Sequence, residues 1–171
     1  MPLVKGGRIF EDEFVHLADG APLPEAGNLL VSAARFLEGP QTLSQRSGKL
    51  GVIWPNNRDL DDLAPYLDRL AAVALLFPTF RDGRAYSQAR LLRERYCYRG
   101  ELRATGQVLR DQFVFMLRAG FDAFEVKKQS DAEAFGQTVK RYSVFYQPTG
   151  DGRLAAPHRR LQLRHSESAG L

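Results

Sequence analysis

Four short apolar runs constrain this chain more than any other feature, because each is followed by an amphipathic stretch and a brief polar connector. The runs are Leu50-Gly51-Val52-Ile53-Trp54, Leu70 to Phe77, Glu101 to Gly106, and Asp122 to Val126. The second is apolar without interruption, as expected of a strand buried on both faces of a sheet. Between and after them the spacing turns helical. Leu60, Leu63, Leu67 and Leu70 recur behind Asp59 as a cap, with Pro65 as an anomaly inside the pattern. Further helices are expected over about 86–98, over 108–119 with Gly120 as its left-handed terminator, and over 131–142. Strand–helix alternation with short connectors predicts an α/β fold of four consecutive βα units in a parallel sheet.

Right-handed crossovers place the helices on the sheet faces. If each strand lies beside its predecessor, all helices share one face and the sheet curves like half a barrel. If one connection jumps back, the sheet is doubly wound. In the half-barrel case the other face needs a cover, from the N-terminal third or from a second copy in a homodimer. The N-terminal part, 1–48, reads as a β-rich extension: a strand or hairpin before Asp19-Gly20, then a short helix with Leu29, Leu30, Ala33, Phe36 and Leu37 on one side, ended by Gly39-Pro40. Residues 41–49 read as a polar linker. The α/β core is expected over 49–148. A basic, mobile tail is expected over 149–171, with a short ordered piece around Leu161–Leu163.

The 171 residues suffice for one such domain. A single cysteine, Cys97, excludes an internal disulfide and any Cys-rich metal or iron–sulfur site; placed within the second helix, it reads as a buried small hydrophobe. No apolar run reaches the length of a membrane span, and 1–10 lacks the pattern of a signal peptide, so a cytoplasmic protein without membrane association is expected. His16, His158 and His165 are far apart, so no metal centre is expected. Without a Gly-x-Gly-x-x-Gly or Walker-type loop, no nucleotide cofactor is expected either.

Charge is unevenly spread. Segment 81–118 carries nine arginines against four acids in a chain whose net charge is +4, leaving the remainder slightly acidic. The stripe lacks the aromatic interleaving of a nucleic-acid binder. Ligands of open parallel sheets bind beyond the carboxyl ends of the strands, and there the sequence places Arg81, Arg84, Ser87, Arg103 and Lys127. Together they are expected to hold a small oxyanion or an anionic metabolite. Asp82 is the central acid of that rim and the candidate catalytic residue, although Asp82-Gly83 also reads as a plain turn. Thr105-Gly106-Gln107 reads as a tight turn, and Tyr86 as a half-buried aromatic at a helix start.

The stretch Phe77-Pro78-Thr79-Phe80-Arg81-Asp82-Gly83-Arg84-Ala85-Tyr86-Ser87-Gln88-Ala89-Arg90 resembles the central motif of a bacterial family of unknown function. The resemblance runs on through Gly100-Glu101-Leu102-Arg103-Ala104, Val108-Leu109-Arg110-Asp111-Gln112 and Gly120-Phe121-Asp122-Ala123-Phe124, covering roughly residues 50–126. Gln107 departs from it where an acid is expected, and Ala119 where a cysteine is frequent. Members are commonly encoded beside sulfite reductase, and some are labelled oxidoreductases. The resemblance therefore implies an accessory role in assimilatory sulfite or sulfate reduction, with sulfite reductase as a partner. The alternatives are a small enzyme acting on a phosphorylated or sulfated metabolite, or a non-catalytic dimeric interaction module.

Overall fold

The computed structural model of the chain describes residues 2–140, 145–149 and 155–157. Among these residues eight strands form one sheet: β1 (Leu3–Lys5), β2 (Arg8–Phe10), β3 (Val15–Leu17), β4 (Leu29–Ser32), β5 (Leu50–Pro55), β6 (Ala72–Phe77), β7 (Glu101–Gly106) and β8 (Ala123–Glu125). Their spatial order is β2-β1-β8-β7-β6-β5-β4-β3. Strands β3 to β8 run parallel in sequential order, while β1 pairs antiparallel with both β8 and β2. No connection jumps back, so the sheet is the half-barrel and not the doubly wound alternative.

Chain connectivity forces the curl. The two edge strands, β2 and β3, are joined by residues 11–14 alone. Eight strands at about 4.8 Å spacing would put the edges of a flat sheet roughly 34 Å apart. The five steps from Phe10 to Val15 reach at most about 18 Å. The sheet must therefore bend until its ends approach, and His16 on β3 does come within 3.6 Å of Glu125 on β8 across the concave side.

The helices α1 (Ala33–Glu38), α2 (Pro40–Ser44), α3 (Arg84–Glu94), α4 (Phe113–Ala119) and α5 (Gln129–Lys140) pack on the convex face. Their buried residues, among them Phe36, Ala89, Leu92, Met116 and Phe135, share one core with Val31, Val52, Trp54, Val73, Leu75, Leu102 and Ala104 of the strands. Phe113, Phe124 and Phe135 close it with ring centroids 5.0–5.3 Å apart. Gly120 takes φ 108° as the C-cap of α4, as its position after that helix predicts. Tyr86 lies edge-on to Phe77 and Phe121, and its burial pushes the phenol up to about 12.

The concave face is covered by the chain itself. Its small residues Gly51, Ala72 and Ala74 leave a recess, and Phe14 from the β2–β3 connection fills it against Leu30. A Cβ at Gly51 would come 2.8 Å from the Leu30 side chain and 3.1 Å from the Ala72 Cβ, so a larger residue there would have to push both aside.

Several elements differ from the sequence reading. Leu29–Ser32 is a strand, and the helix begins only at Ala33, where the Ser32 hydroxyl accepts from the Arg35 amide. Gly39-Pro40 does separate two helices, yet Pro40 starts α2, its missing N–H harmless at a first turn, and that helix runs into the expected linker as far as Ser44. The Leu60–Leu70 pattern yields turns and a 3₁₀ helix over Ala64–Arg69, with Pro65 in its first turn. Helix α3 stops at Glu94, so Cys97 lies beyond it, exposed and at φ 53°. The ordered piece expected around Leu161–Leu163 lies outside the described residues.

Candidate functional site

Strand β7 alternates Glu101, Arg103 and Thr105 toward the concave face with Leu102 and Ala104 toward the helices. Arg103 is fully buried. Its guanidinium donates to both oxygens of Asp12 at 2.6 and 3.0 Å, to Glu101 at 2.8 Å and to Glu125 at 3.0 Å. Phe14 lies over it at 5.6 Å. Burial would lower its pKa, but the hydrogen bonds and charges of Asp12, Glu101 and Glu125 outweigh that and raise it, so Arg103 is a permanent cation. Lys5 pairs with Glu101 at 2.5 Å, and the Thr105 hydroxyl donates to Glu125. His16 Nε2 stands 3.5 Å from Asp12 and 3.6 Å from Glu125. For Asp12, burial works upward, but the Arg103 hydrogen bond, the Phe14 amide and the charges of Arg103 and His16 hold the carboxyl below its ordinary value. A cavity of about 350 Å³ opens on Asp12, Phe14, His16 and Glu125.

The expected rim residues do not gather at one point. Arg81, Arg84 and Ser87 sit on the loop after β6 and the first turns of α3, all exposed. Lys127 follows β8 and is exposed too. Arg103 is not at the rim: the sequence reading put it on the loop after the third strand, but it lies in mid-strand with its charge consumed inside the curl. Arg84 is likewise engaged, its guanidinium donating to Asp82 at 2.6 and 2.9 Å. That hydrogen bond holds the Asp82 carboxyl well below the usual carboxylate range, and Asp82 also accepts from the Arg84 amide at 3.3 Å. At neutral pH Asp82 is an anion that fixes its loop. Gly106 turns at φ 91° as the last residue of β7, and Gln107 accepts from the Phe80 amide at 3.2 Å, tying the β6 and β7 loops together.

Beside that tie lies a cleft of about 500 Å³ between the loops after β7 and β8. Gln107, Arg110, Lys127 and Lys128 line it with Asp111 and Asp131, and the first turn of α5 opens onto it. Among the described residues, Arg110, Lys127 and Lys128 make no ion pair. Unlike Arg84 and Arg103, they are cations with capacity to spare, and a helix N-terminus adds to their field.

The sequence reading missed Asp12, His16, Glu101 and Glu125 on the concave face and Arg110 in the cleft, and it left Lys128, beside Lys127 on the rim, out of the anion set. A local signal existed for the first group. Polar residues at 101, 103 and 105 in a strand flanked on both sides announce a polar inner face.

Fold and site together define an α/β half-barrel with an ion-paired interior and a cationic cleft at the carboxyl end of its parallel strands. The chain belongs to the family described as bacterial protein of unknown function, DUF934, whose model matches residues 51–156. A search of curated proteins returns no match. No helix among the described residues is long and apolar enough to cross a membrane.

Proposed function

We propose that this protein is an accessory protein of assimilatory sulfite or sulfate reduction that holds a small oxyanion in the cleft between the β7 and β8 loops. The observation that carries the anion reading is the set of unpaired cations there, Arg110, Lys127 and Lys128, beside the N-terminus of α5. Sulfite, sulfate and phosphate are all met by such a set, because cationic donors and helix amides favour tetrahedral or pyramidal oxyanions alike. The sulfur context rests on the family resemblance, whose members are commonly encoded beside sulfite reductase. Of the expected anion residues, Lys127 lines this cleft, whereas Arg81 and Ser87 belong to the loop after β6 and to α3.

Calorimetry on the full chain tests both parts. Sulfite or sulfate should bind, and the Lys127→Ala/Lys128→Ala double variant should lose about tenfold or more, the equivalent of roughly 1.4 kcal/mol. A chain with no affinity for sulfite, sulfate, phosphate or sulfite reductase overturns the proposal. Phosphate binding alone retains the cleft and removes the sulfur role.

The reading as a small enzyme with Asp82 as general acid has less support. A carboxylate held ionised by Arg84 has no proton to give near neutral pH.

A further inference from the structure

We propose that Asp12, His16 and Glu125 form a binding site for a divalent transition-metal ion on the concave face, independent of the anion cleft. One ligand atom from each residue lies within 4.8 Å of the other two. The imidazole Nε2 is 3.5 Å from Asp12 Oδ2 and 3.6 Å from Glu125 Oε1. An ion equidistant from three atoms so spaced would sit roughly 2.0–2.4 Å from each, which overlaps the Zn–N and Zn–O range.

Three further features separate this group from an incidental cluster of charges. First, the ligands come from distant parts of the chain. His16 is on edge strand β3, Glu125 ends β8, and Asp12 belongs to the connection that crosses between the sheet's edges. The curl that brings the edges together is what assembles them. Second, both carboxylates carry an outer shell of hydrogen bonds: Arg103 to Asp12 and Glu125, and Thr105 to Glu125. Metal-ligating carboxylates are oriented in this way, and the two oxygens that face His16, Asp12 Oδ2 and Glu125 Oε1, each accept one hydrogen bond, from Arg103, and keep a further lone pair for the ion. Third, the cavity of about 350 Å³ opens onto these three side chains and Phe14, and His16 is 47% exposed, so an ion has an entry path.

The donor set decides the class of ion. An imidazole nitrogen favours zinc or ferrous iron over calcium or magnesium, which prefer oxygen throughout. Three protein ligands leave at least one position open to solvent or to a ligand oxygen, the pattern of reactive zinc sites. The charge also suits it. Asp12, Glu101 and Glu125 exceed Arg103 and Lys5 by one negative charge.

The test uses the full chain carrying His158→Ala and His165→Ala, so that the remaining histidine is His16. Titration with Zn²⁺ should give one ion per chain with a dissociation constant of about micromolar or tighter. Titration with Co²⁺ should give a visible absorption band from an imidazole-containing site. His16→Ala, on an exposed edge position, should fold as before, lose the Co²⁺ band and weaken Zn²⁺ about tenfold or more, and Glu125→Gln should act likewise. Two results overturn the site: no stoichiometric binding, or binding that His16→Ala leaves unchanged. Neither bears on the cleft, whose lysines are untouched by these variants.

Discussion

Arg103 bridges three carboxylates that the curl of the sheet gathers around it, so removing it strands them. Arg103→Met should cost about 3–5 kcal/mol, the range for breaking a buried pair from one side, read as a lower urea midpoint. Its pH dependence is more diagnostic than its size. In the wild-type protein the Asp12 carboxyl sits below its ordinary value of 3.8. Its contribution to stability is therefore present above that value and lost as pH falls through the lower folded one. Without Arg103 both its hydrogen bond and its charge are lost, so burial, the largest influence and an upward one, is opposed only by the Phe14 amide and the His16 charge, and the carboxyl rises relative to wild type. The variant should then gain stability relative to wild type as pH drops from about 7 to about 4. Parallel pH profiles for the two proteins would count against the cluster. How this residue was hidden from sequence is instructive. Arginine in segment 81–118 looked like a surface stripe because eight others accompany it. Only the alternation 101-103-105 separated this one from a rim cation. Its main partner, Asp12, is 91 residues away, a distance that no local pattern encodes.

At the scale of elements, the legible part was the repeating one. Strands β5 to β8 announce themselves by apolar runs bounded by turn residues, and each lies within a residue or two of where those runs place it. Strand β4 stayed hidden because Leu29, Leu30, Ala33, Phe36 and Leu37 satisfy helical spacing as well as a strand followed by a helix. Short apolar runs are ambiguous in this way, and tertiary pairing with β5 decides. The junction itself is marked by a cap. Ser32 accepts from the Arg35 amide at 3.1 Å and donates to Asp19 at 2.6 Å, so it starts α1 and anchors the loop after β3. Ser32→Ala should cost about 1 kcal/mol, and Ser32→Asp should keep the cap while repelling Asp19. A second element-level prediction concerns the turn that sets the rim. Gly106 holds φ 91°, and a Cβ there would collide with the Phe77 carbonyl. Gly106→Ala should destabilise by about 1–3 kcal/mol, since both backbone strain and overlap oppose it. A thermal melt reads it directly, and an unchanged midpoint would mean the turn adapts freely.

For the whole molecule, the governing fact is that the N-terminal segment serves both ends of the sheet. Strands β3 and β4 extend one edge, β1 and β2 the other, and the four residues between β2 and β3 cross the concave face. A sequence reading sees residues 1–48 as a β-rich extension that could cover one face of the core, but not as strands that join both edges of its sheet, because the βα repeat starts at residue 50 and nothing nearby pairs with it locally. Physically the two parts share a single interior. Phe14 is only 5% exposed, and it covers the small residues of β5 and β6 while lying over Arg103. Phe14→Ala should cost about 3–5 kcal/mol by leaving that recess open. A chain beginning at residue 49 goes further. It would bare the edges of β5 and β8, which β4 and β1 now pair, and would leave Arg103 without Asp12. Two unpaired edges of apolar strands invite association between chains. That fragment should therefore aggregate, or unfold without a cooperative transition, while the full chain melts in one step. If residues 49–171 instead gave a sharp melt and a monomeric light-scattering mass, the half-barrel would be stable without its cover, and the forced curl would follow from the parallel strands alone.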